Sequence, residues 1–367
     1  MTRASDLAKL LSGGTISTAD NTDQLTLTST DADANQGPVL DLYRNSSSPA
    51  DSDLLGEISF RGRNDNSQDV DYGHISGKII DASDGTEDGM LDISTIKSGA
   101  KVSRVKITDD GTVLNEDSAD IDFRVESNGN THMLFVDGGN DKIGIGISNP
   151  ASYDDGGDRL VVGDTSGRSG ITIVTGTSND GSINFADGTS GAASYSGYVN
   201  YHHNTNEMKL ATNGNARLVI DSTGCVTMPS QPAFLAVSRS MSNIGSGSTL
   251  DFGTEVFDQN SDYNASSFTF TAPVTGRYFM SLRGYLLNLD NNVTYYQIGL
   301  RTSNRDHNWL IDPNELLSDD NAYFPFSVSA LVDLDAADTA FALFSTAGGS
   351  QVVDLDAGSY FGGALIC

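Results

Sequence analysis

Paired carboxylates are the first chemistry to look for in this chain, whose 367 residues include 49 Asp and Glu. Asp333, Asp335 and Asp338 lie close together, and Asp319 and Asp320 are adjacent. Two carboxyl groups flanking a glycosidic bond can cleave it, one as general acid and the other as nucleophile or base. That reading makes the chain a polysaccharide depolymerase. A plainer reading competes with it: so many acids make close pairs unavoidable, and turns favour Asp for its hydrogen bonds to nearby backbone. The long run of similar rungs that builds a depolymerase β-helix is also missing.

Other reactive types are sparse. His202 and His203 in "YHHN" are weak metal candidates, because copies of a chain about an axis would turn one inward imidazole into a ring of ligands. Adjacent strand residues face opposite ways, so at most one of the two points inward. The glycines of "GIGISNP" precede a turn rather than a helix, which removes a phosphate cradle. Cys225 and Cys367 make neither a disulfide framework nor a zinc-ligand spacing. Binding is better served than catalysis. "RTSNRDHNWLIDPNE" (301–315) holds the only tryptophan, Trp309, beside Arg305 and His307, and "DDNAYF" (319–324) offers Tyr323. An exposed ring there could stack on a sugar. Packing in a core or between subunits is the alternative for Trp309.

Charge narrows the partners. With 21 basic side chains the formal charge is −28, which repels nucleic-acid backbones and anionic membranes. The surplus acid suits a solvated surface, or salty water in which screening shortens the reach of self-repulsion. No apolar run approaches the roughly 18–20 residues that span a bilayer. The opening "MTRASDLAKLLSGG" is interrupted by Lys9, so no secretory signal is expected.

The elements that must position these residues are almost all strands. Leu7, Leu10 and Leu11 sit at helical spacing after a Ser5–Asp6 cap and before Gly13–Gly14, which predicts one short N-terminal helix. Such a helix is too short to be stable alone, so its apolar face awaits a partner. Elsewhere short alternating runs are split by Gly, Asn, Asp and Ser. "VLDLYR", "GEISFRG", "YGHISGKII", "GMLDIST" and "VKITDDGTV" occur in order, and "ITIVTG", "GSINFADG", "YSGYVNYHH", "NEMKLATNG" and "LVIDSTGCV" follow the same order later. This is one module present twice. It places Ile107 opposite Ile220, and Gly111 opposite Gly224 at turns of positive φ. "MLFVDGGNDKIGIGISNP" (133–150) is a partial third occurrence of the closing hairpin. Modules so small bury too little surface to stand alone without staples, so oligomerisation is expected, with Ile107 and Ile220 facing the shared interior. After "TMPSQP" (227–232), read as a linker, aromatics thicken and the pattern suits a β-sandwich with its own core.

"FTFTAPVTGRY" (268–278), Tyr263 and the closing "SYFGGALI" (359–366) resemble the globular head of the first complement component and, more distantly, tumour necrosis factor. Met280 stands where that family usually has an aromatic, and Ala337 where it usually has Gly. The resemblance implies a ten-stranded jelly roll that assembles as a trimer. Some members bind calcium, although no loop here has a recognised calcium spacing. The earlier part, through "LGEISFRG", "DKIGIGISNP", "NEMKLATNGNARLVIDSTG" and "MTRASDLAKLL", is similar to tail-fibre modules of bacterial viruses, particularly marine ones.

Together these imply an all-β chain: a trimeric fibrous β-shaft with repeated modules, a short N-terminal helix and a C-terminal jelly-roll knob. The expected divisions are 1–18 (virion-anchoring helix), 19–115 (first shaft module), 116–155 (connecting hairpin region), 156–230 (second shaft module) and 231–367 (knob). The function implied is a bacteriophage tail fibre that adsorbs to a host through its knob, without catalysis or cofactor. A capsid-attached fibre is the alternative, and a depolymerase the remote one. The partners implied are two further copies, a virion tail or portal-proximal protein docked on Leu7, Leu10 and Leu11, and a host-surface glycan or protein. The chain would be made in the host cytoplasm and reside in the virion.

Overall fold

Alternation of apolar and polar side chains becomes strand pairing almost throughout the computed structural model, which describes residue 19 and residues 21–316, 323–349 and 352–367. The helix expected at Leu7, Leu10 and Leu11 lies outside those residues, as do Asp319 and Asp320. The described residues are nearly all β, with 3-10 turns and one α-helical turn, Pro313–Leu316. The chain divides into two compact units, Met1–Ile171 and Thr172–Cys367.

In the first unit β1 (Leu54–Arg63), β2 (Asp69–Asp81), β3 (Asp88–Lys97), β4 (Ala100–Thr108) and β5 (Gly111–Leu114) form an antiparallel meander. Its register sets Ile58, Ile75, Ile93, Val105 and Leu114 side by side across all five strands. Ser59, His74, Ser94 and Ser103 make a row on the opposite face. A second sheet joins β6 (Phe123–Val125), β7 (Leu134–Asp137), β8 (Lys142–Ile145) and β9 (Leu160–Val162), with β9 parallel to β8. The hairpin legible in the sequence is β7–β8. Its flanking strands have three residues each, too few to show a period of two.

The second unit repeats the meander with β10 (Asp180–Phe185), β11 (Gly197–His202), β12 (Glu207–Thr212), β13 (Asn215–Ile220) and β14 (Val226–Thr227). Ile183, Val199, Leu210 and Leu218 form the equivalent apolar row. Phe60 faces Gly73 and Phe185 faces Gly197 across the same pair of strands. Gly111 opens the fifth strand of the first meander and Gly224 lies in the turn before the fifth strand of the second, at φ 142° and 88°, where a side chain would be strained. Ile107 and Ile220 therefore occupy equivalent strands. The expectation that both face an interior is not met within one chain: Ile107 is exposed and Ile220 only half-buried.

A second correction concerns "VLDLYR" and "ITIVTG", which form no strand. They run beside a first strand, and in the first meander a glycine there leaves the room. A Cβ on Gly56 would come within 2.9 Å of Leu42 Cβ, and one on Gly181 within 3.6 Å of Ile173 Cγ2. Strand propensity is present in both segments, but no backbone edge meets them.

The C-terminal sandwich has thirteen strands rather than ten, because its edges break into short pieces. They are β15 (Ala233–Val237), β16 (Met241–Ile244), β17 (Ser248–Thr249), β18 (Thr254–Asp258), β19 (Tyr263–Asn264), β20 (Thr269–Thr271), β21 (Gly276–Leu287), β22 (Tyr295–Thr302), β23 (Asp306–Ile311), β24 (Phe324–Leu334), β25 (Thr339–Ala347), β26 (Val353–Leu355) and β27 (Tyr360–Leu365). One sheet runs β16-β26-β21-β27-β15-β18 with β24 also on β21; the other runs β19-β20-β25-β22-β23 with β17 on β25. Between them Phe234 stacks on Tyr263 and Phe270 at 4.7 and 4.9 Å, and Phe361 meets Phe234 edge-on at 5.1 Å. Each such ring contributes roughly 1.5–3 kcal/mol by leaving water. The segment read as a linker is tied down. Gln259 Nε2 donates to Met228 O (2.7 Å), Asn260 Nδ2 to Ser230 O (2.8 Å) and Gln231 Nε2 to Leu365 O (3.0 Å).

The corner at Pro273–Gly276 works through Tyr278, whose buried hydroxyl donates to Val274 O at 2.7 Å. The two departures noted in the sequence are both explained. Met280 is fully buried and its sulfur occupies the space that a side chain on Gly363 would need. Ala337 adopts φ 76°, a left-handed conformation natural to glycine.

Replacing Ala337 with Gly should therefore stabilise the sandwich by about 1 kcal/mol, a rise of about 3 °C in its melting midpoint. Fluorescence of Trp309, the one tryptophan, reads that transition alone, and a lowered midpoint would refute the strain. A second expectation concerns the β13–β14 turn. Asp221 Oδ1 accepts from the Thr223 hydroxyl (2.7 Å), Thr223 N (2.8 Å) and Cys225 N (3.0 Å), and these bonds hold its pKa below the usual aspartate value, the hydroxyl most strongly. A depressed folded pKa means that the turn's contribution is complete above the usual value of about 3.9. It is lost as pH falls through the depressed one. Carbon-detected NMR titration should place Asp221 below its usual value, and Thr223→Val should raise it.

Candidate functional site

The aromatic candidates fall on or beside the β22–β23 hairpin, at the free edge of the six-stranded sheet. Arg301 pairs with Asp306, and the tip is closed by Thr302 N donating to Arg305 O at 3.0 Å. Strand β23 then alternates. His307, Trp309 and Ile311 lie on the core side, opposite the buried Leu300, Ile298 and Tyr296. Edge position decides the outcome for Trp309: with no further strand beyond it, the indole is 44% exposed rather than sealed in the core. Leu310, which the sequence reading passed over, projects outward and is exposed. Nε2 of His307 is buried without a hydrogen-bond partner among the described residues. Tyr323 is exposed just before β24.

Of the suspected catalytic carboxylates, Asp333 and Asp338 are engaged in holding this hairpin. Arg305 Nη2 lies 2.8 Å from Asp333 Oδ2. Asn304 Nδ2 donates to Asp333 O (2.8 Å) and to Asp338 Oδ2 (3.0 Å), and Asp338 Oδ2 also accepts from Asp335 N (2.9 Å). Asp333 and Asp338 thus brace two turns, where a glycosidase would need an acid and a base aimed into one cleft. Arg305, proposed from sequence as a ligand contact, is one of the braces.

The histidine candidates separate as strand geometry requires. Nδ1 of His202 lies 2.9 Å from the Thr205 hydroxyl and its Nε2 lies 3.4 Å from Asp180, on the polar face. His203 meets Tyr201 edge-on at 4.9 Å, on the other side. Among the described residues no group of three or more His, Cys, Asp or Glu is placed to hold a metal ion. Asp258 and Asp262 come together in the sandwich, and burial, then the charge of Asp258, raises the Asp262 pKa. Asp258 already accepts from Asp262 N (3.1 Å) and Tyr263 N (2.8 Å), which leaves too few oxygens for a calcium ion's six to eight.

Two surfaces were not anticipated. A depression of about 350 Å³ on the first meander is lined by Lys78, Lys101 and Lys106 and by Asp92, Glu116 and Asp117. Glu116, at 2.7 Å, raises the Lys106 pKa, so cations and carboxylates are matched and no anion-attracting field remains. The outward face of the seven-stranded sheet carries exposed Phe257, Phe279 and Leu331, with Phe279 and Leu331 directly paired. The signal was present: Phe279 stands at an outward position of β21, between Tyr278 and Met280 that point in. No helix among the described residues is long and apolar enough to cross a membrane.

No protein-family model matches the chain, and no curated protein sequence matches it. Solved structures do. The globular domain of zebrafish complement 1qA protein is 15% identical over 37% of this chain and 98% of that one, with a TM-score of 0.30. Eiger TNF from S. frugiperda is 10% identical over 37% and 93%, at 0.28. Murine APRIL is 12% identical over 37% and 99%, at 0.27.

Proposed function

We propose that this chain is a homotrimeric recognition protein, a bacteriophage tail fibre that resides in the virion and binds a host-surface glycan or protein through its C-terminal jelly roll. The observation that carries the reading is the apolar outward face of the sandwich, Phe257, Phe279 and Leu331, on a chain of formal charge −28. An apolar patch on so acidic a surface marks an interface. The number of copies, three, rests on the family resemblance of the corner and closing motifs. With that face between copies, the hairpin holding Trp309 and Leu310 remains for a ligand, and three such sites on one knob bind a repeated receptor with avidity. The bacteriophage assignment rests on the repeated modules and their resemblance to tail-fibre segments. Docking to the particle through Leu7, Leu10 and Leu11 belongs to the same reading.

Light scattering of the full chain should give three times 38.7 kDa with little monomer on dilution. Trp309→Ala and Tyr323→Ala should lower adsorption of the chain to host cells without changing that mass. A monodisperse monomer would overturn the trimer. Unchanged adsorption in both variants would move recognition away from this hairpin.

A further inference from the structure

The two meanders carry the same irregularity at the same place. In the first, Ser94 pairs with Ser103 and Ile93 with Val105, so Arg104 is an extra residue in β4. In the second, Ala211 pairs with Ala216 and Leu210 with Leu218, so Arg217 is the extra residue in β13. A bulge of this kind re-aims a side chain. Both arginines are then fixed alike from the neighbouring strand. Arg104 Nε donates to the Thr95 hydroxyl at 2.7 Å, and Arg217 Nε to the Thr212 hydroxyl at 3.2 Å. With Nε tied, each guanidinium keeps its terminal Nη groups for another acceptor. In the second meander that acceptor is present, for Arg217 Nη1 donates to the Ser230 hydroxyl at 2.7 Å. In the first, no acceptor and no carboxylate among the described residues meets the Nη groups of Arg104.

Arg104 is half-buried and instead lines a cavity of about 470 Å³ with Val105, Leu114, Ile121, Phe123 and Val136. The other polar side chains in the wall are already used. Asn115 exchanges hydrogen bonds with Ala119 through both atoms of its amide, and Asp122 Oδ1 accepts from Gly138 N at 3.1 Å. We propose that this cavity binds a small carboxylate with an apolar body, its carboxylate on Arg104 and its body against Val105, Leu114 and Phe123. The volume falls in the range of small-molecule sites, roughly 300–1,000 Å³. The class of ligand follows from the wall. Arg104 is the one cation there, so an oxygen acceptor of negative charge is the complement, and an amine is repelled. A phosphate brings more charged oxygens than one guanidinium satisfies, while a single carboxylate matches its fork. Apolar neighbours make the contact stronger than it is in water.

Isothermal titration of the full-length protein with octanoate and with 1-octanol tests this. Octanoate should bind at one site per chain, about tenfold or more tighter than the alcohol, the effect of a charge-assisted hydrogen bond. Arg104→Gln should remove that advantage. Leu114→Trp, which fills the cavity, should remove binding of both compounds. Arg217→Gln, the same change at the equivalent position, should leave octanoate binding unaltered. If octanoate does not bind the unsubstituted protein, or binds no tighter than octanol, the proposal is overturned whatever the variants do. If Arg217→Gln weakens octanoate as much as Arg104→Gln does, the effect is one of general charge, and the proposal is overturned as well.

Discussion

Every β-sheet in this molecule faces the same constraint: a strand with an apolar side needs a second layer to lie against it. The C-terminal sandwich meets it internally. Its two sheets close on Phe234, Phe270, Tyr278, Tyr296, Phe344 and Phe361, all nearly inaccessible to water. The small sheets meet it only in part: Val105 and Leu114 of the first meander share a depression with Phe123 and Val136 of the four-stranded sheet, while Phe60 and Phe185 stay exposed. In the first meander the polar face is the self-sufficient one, with Ser94 and Ser103 beneath a mesh of Asp92, Asp117, Lys106 and Glu116. The apolar faces of the two meanders leave Ile58, Phe60, Ile183 and Phe185 exposed.

That division also explains which features were legible in the sequence. The two meanders were readable because glycine and alternation act locally. Gly111 and Gly224 mark hairpins by their own backbone needs, and the Phe60–Gly73 and Phe185–Gly197 pairs repeat with the strands that carry them. The corner with Tyr278 was readable for the same reason, as its hydrogen bond spans four residues. What escaped was set by tertiary context. Residues 39–44 have the composition of a strand and lack only an edge to pair with, which composition does not record. Strands β6 and β9 gain their hydrogen bonds from the hairpin between them.

The candidate site shows the same limit. Trp309 is at a core-facing position, and the alternation that places it there does not reveal that β23 ends the sheet. Arg305 and Asp333 stand 28 positions apart. No spacing rule joins them, so one was read as a ligand contact and the other as a catalytic acid. The fold makes them a pair, and at 58% and 41% exposure such a pair orients more than it stabilises.

Orientation is what the bracing supplies. The hairpin tip is bonded to the β24–β25 turn through Ser303 N to Thr339 O (3.0 Å) and Asn304 to Asp333 and Asp338. That turn is bonded in its own right to the tyrosine corner, by Ala336 N to the Thr275 hydroxyl (3.1 Å) and Ala337 N to Ala272 O (2.8 Å). A continuous chain of short contacts thus runs from the buried Tyr278, through a strained Ala337, to the strand that presents Trp309. A loop left free would have to be ordered on binding, at a cost in side-chain and backbone entropy that weakens a modest contact surface. Here the ordering is done when the sandwich folds. Asp333 and Asp338, two of the acids that first suggested catalysis, are therefore parts that hold the strand presenting Trp309 in place.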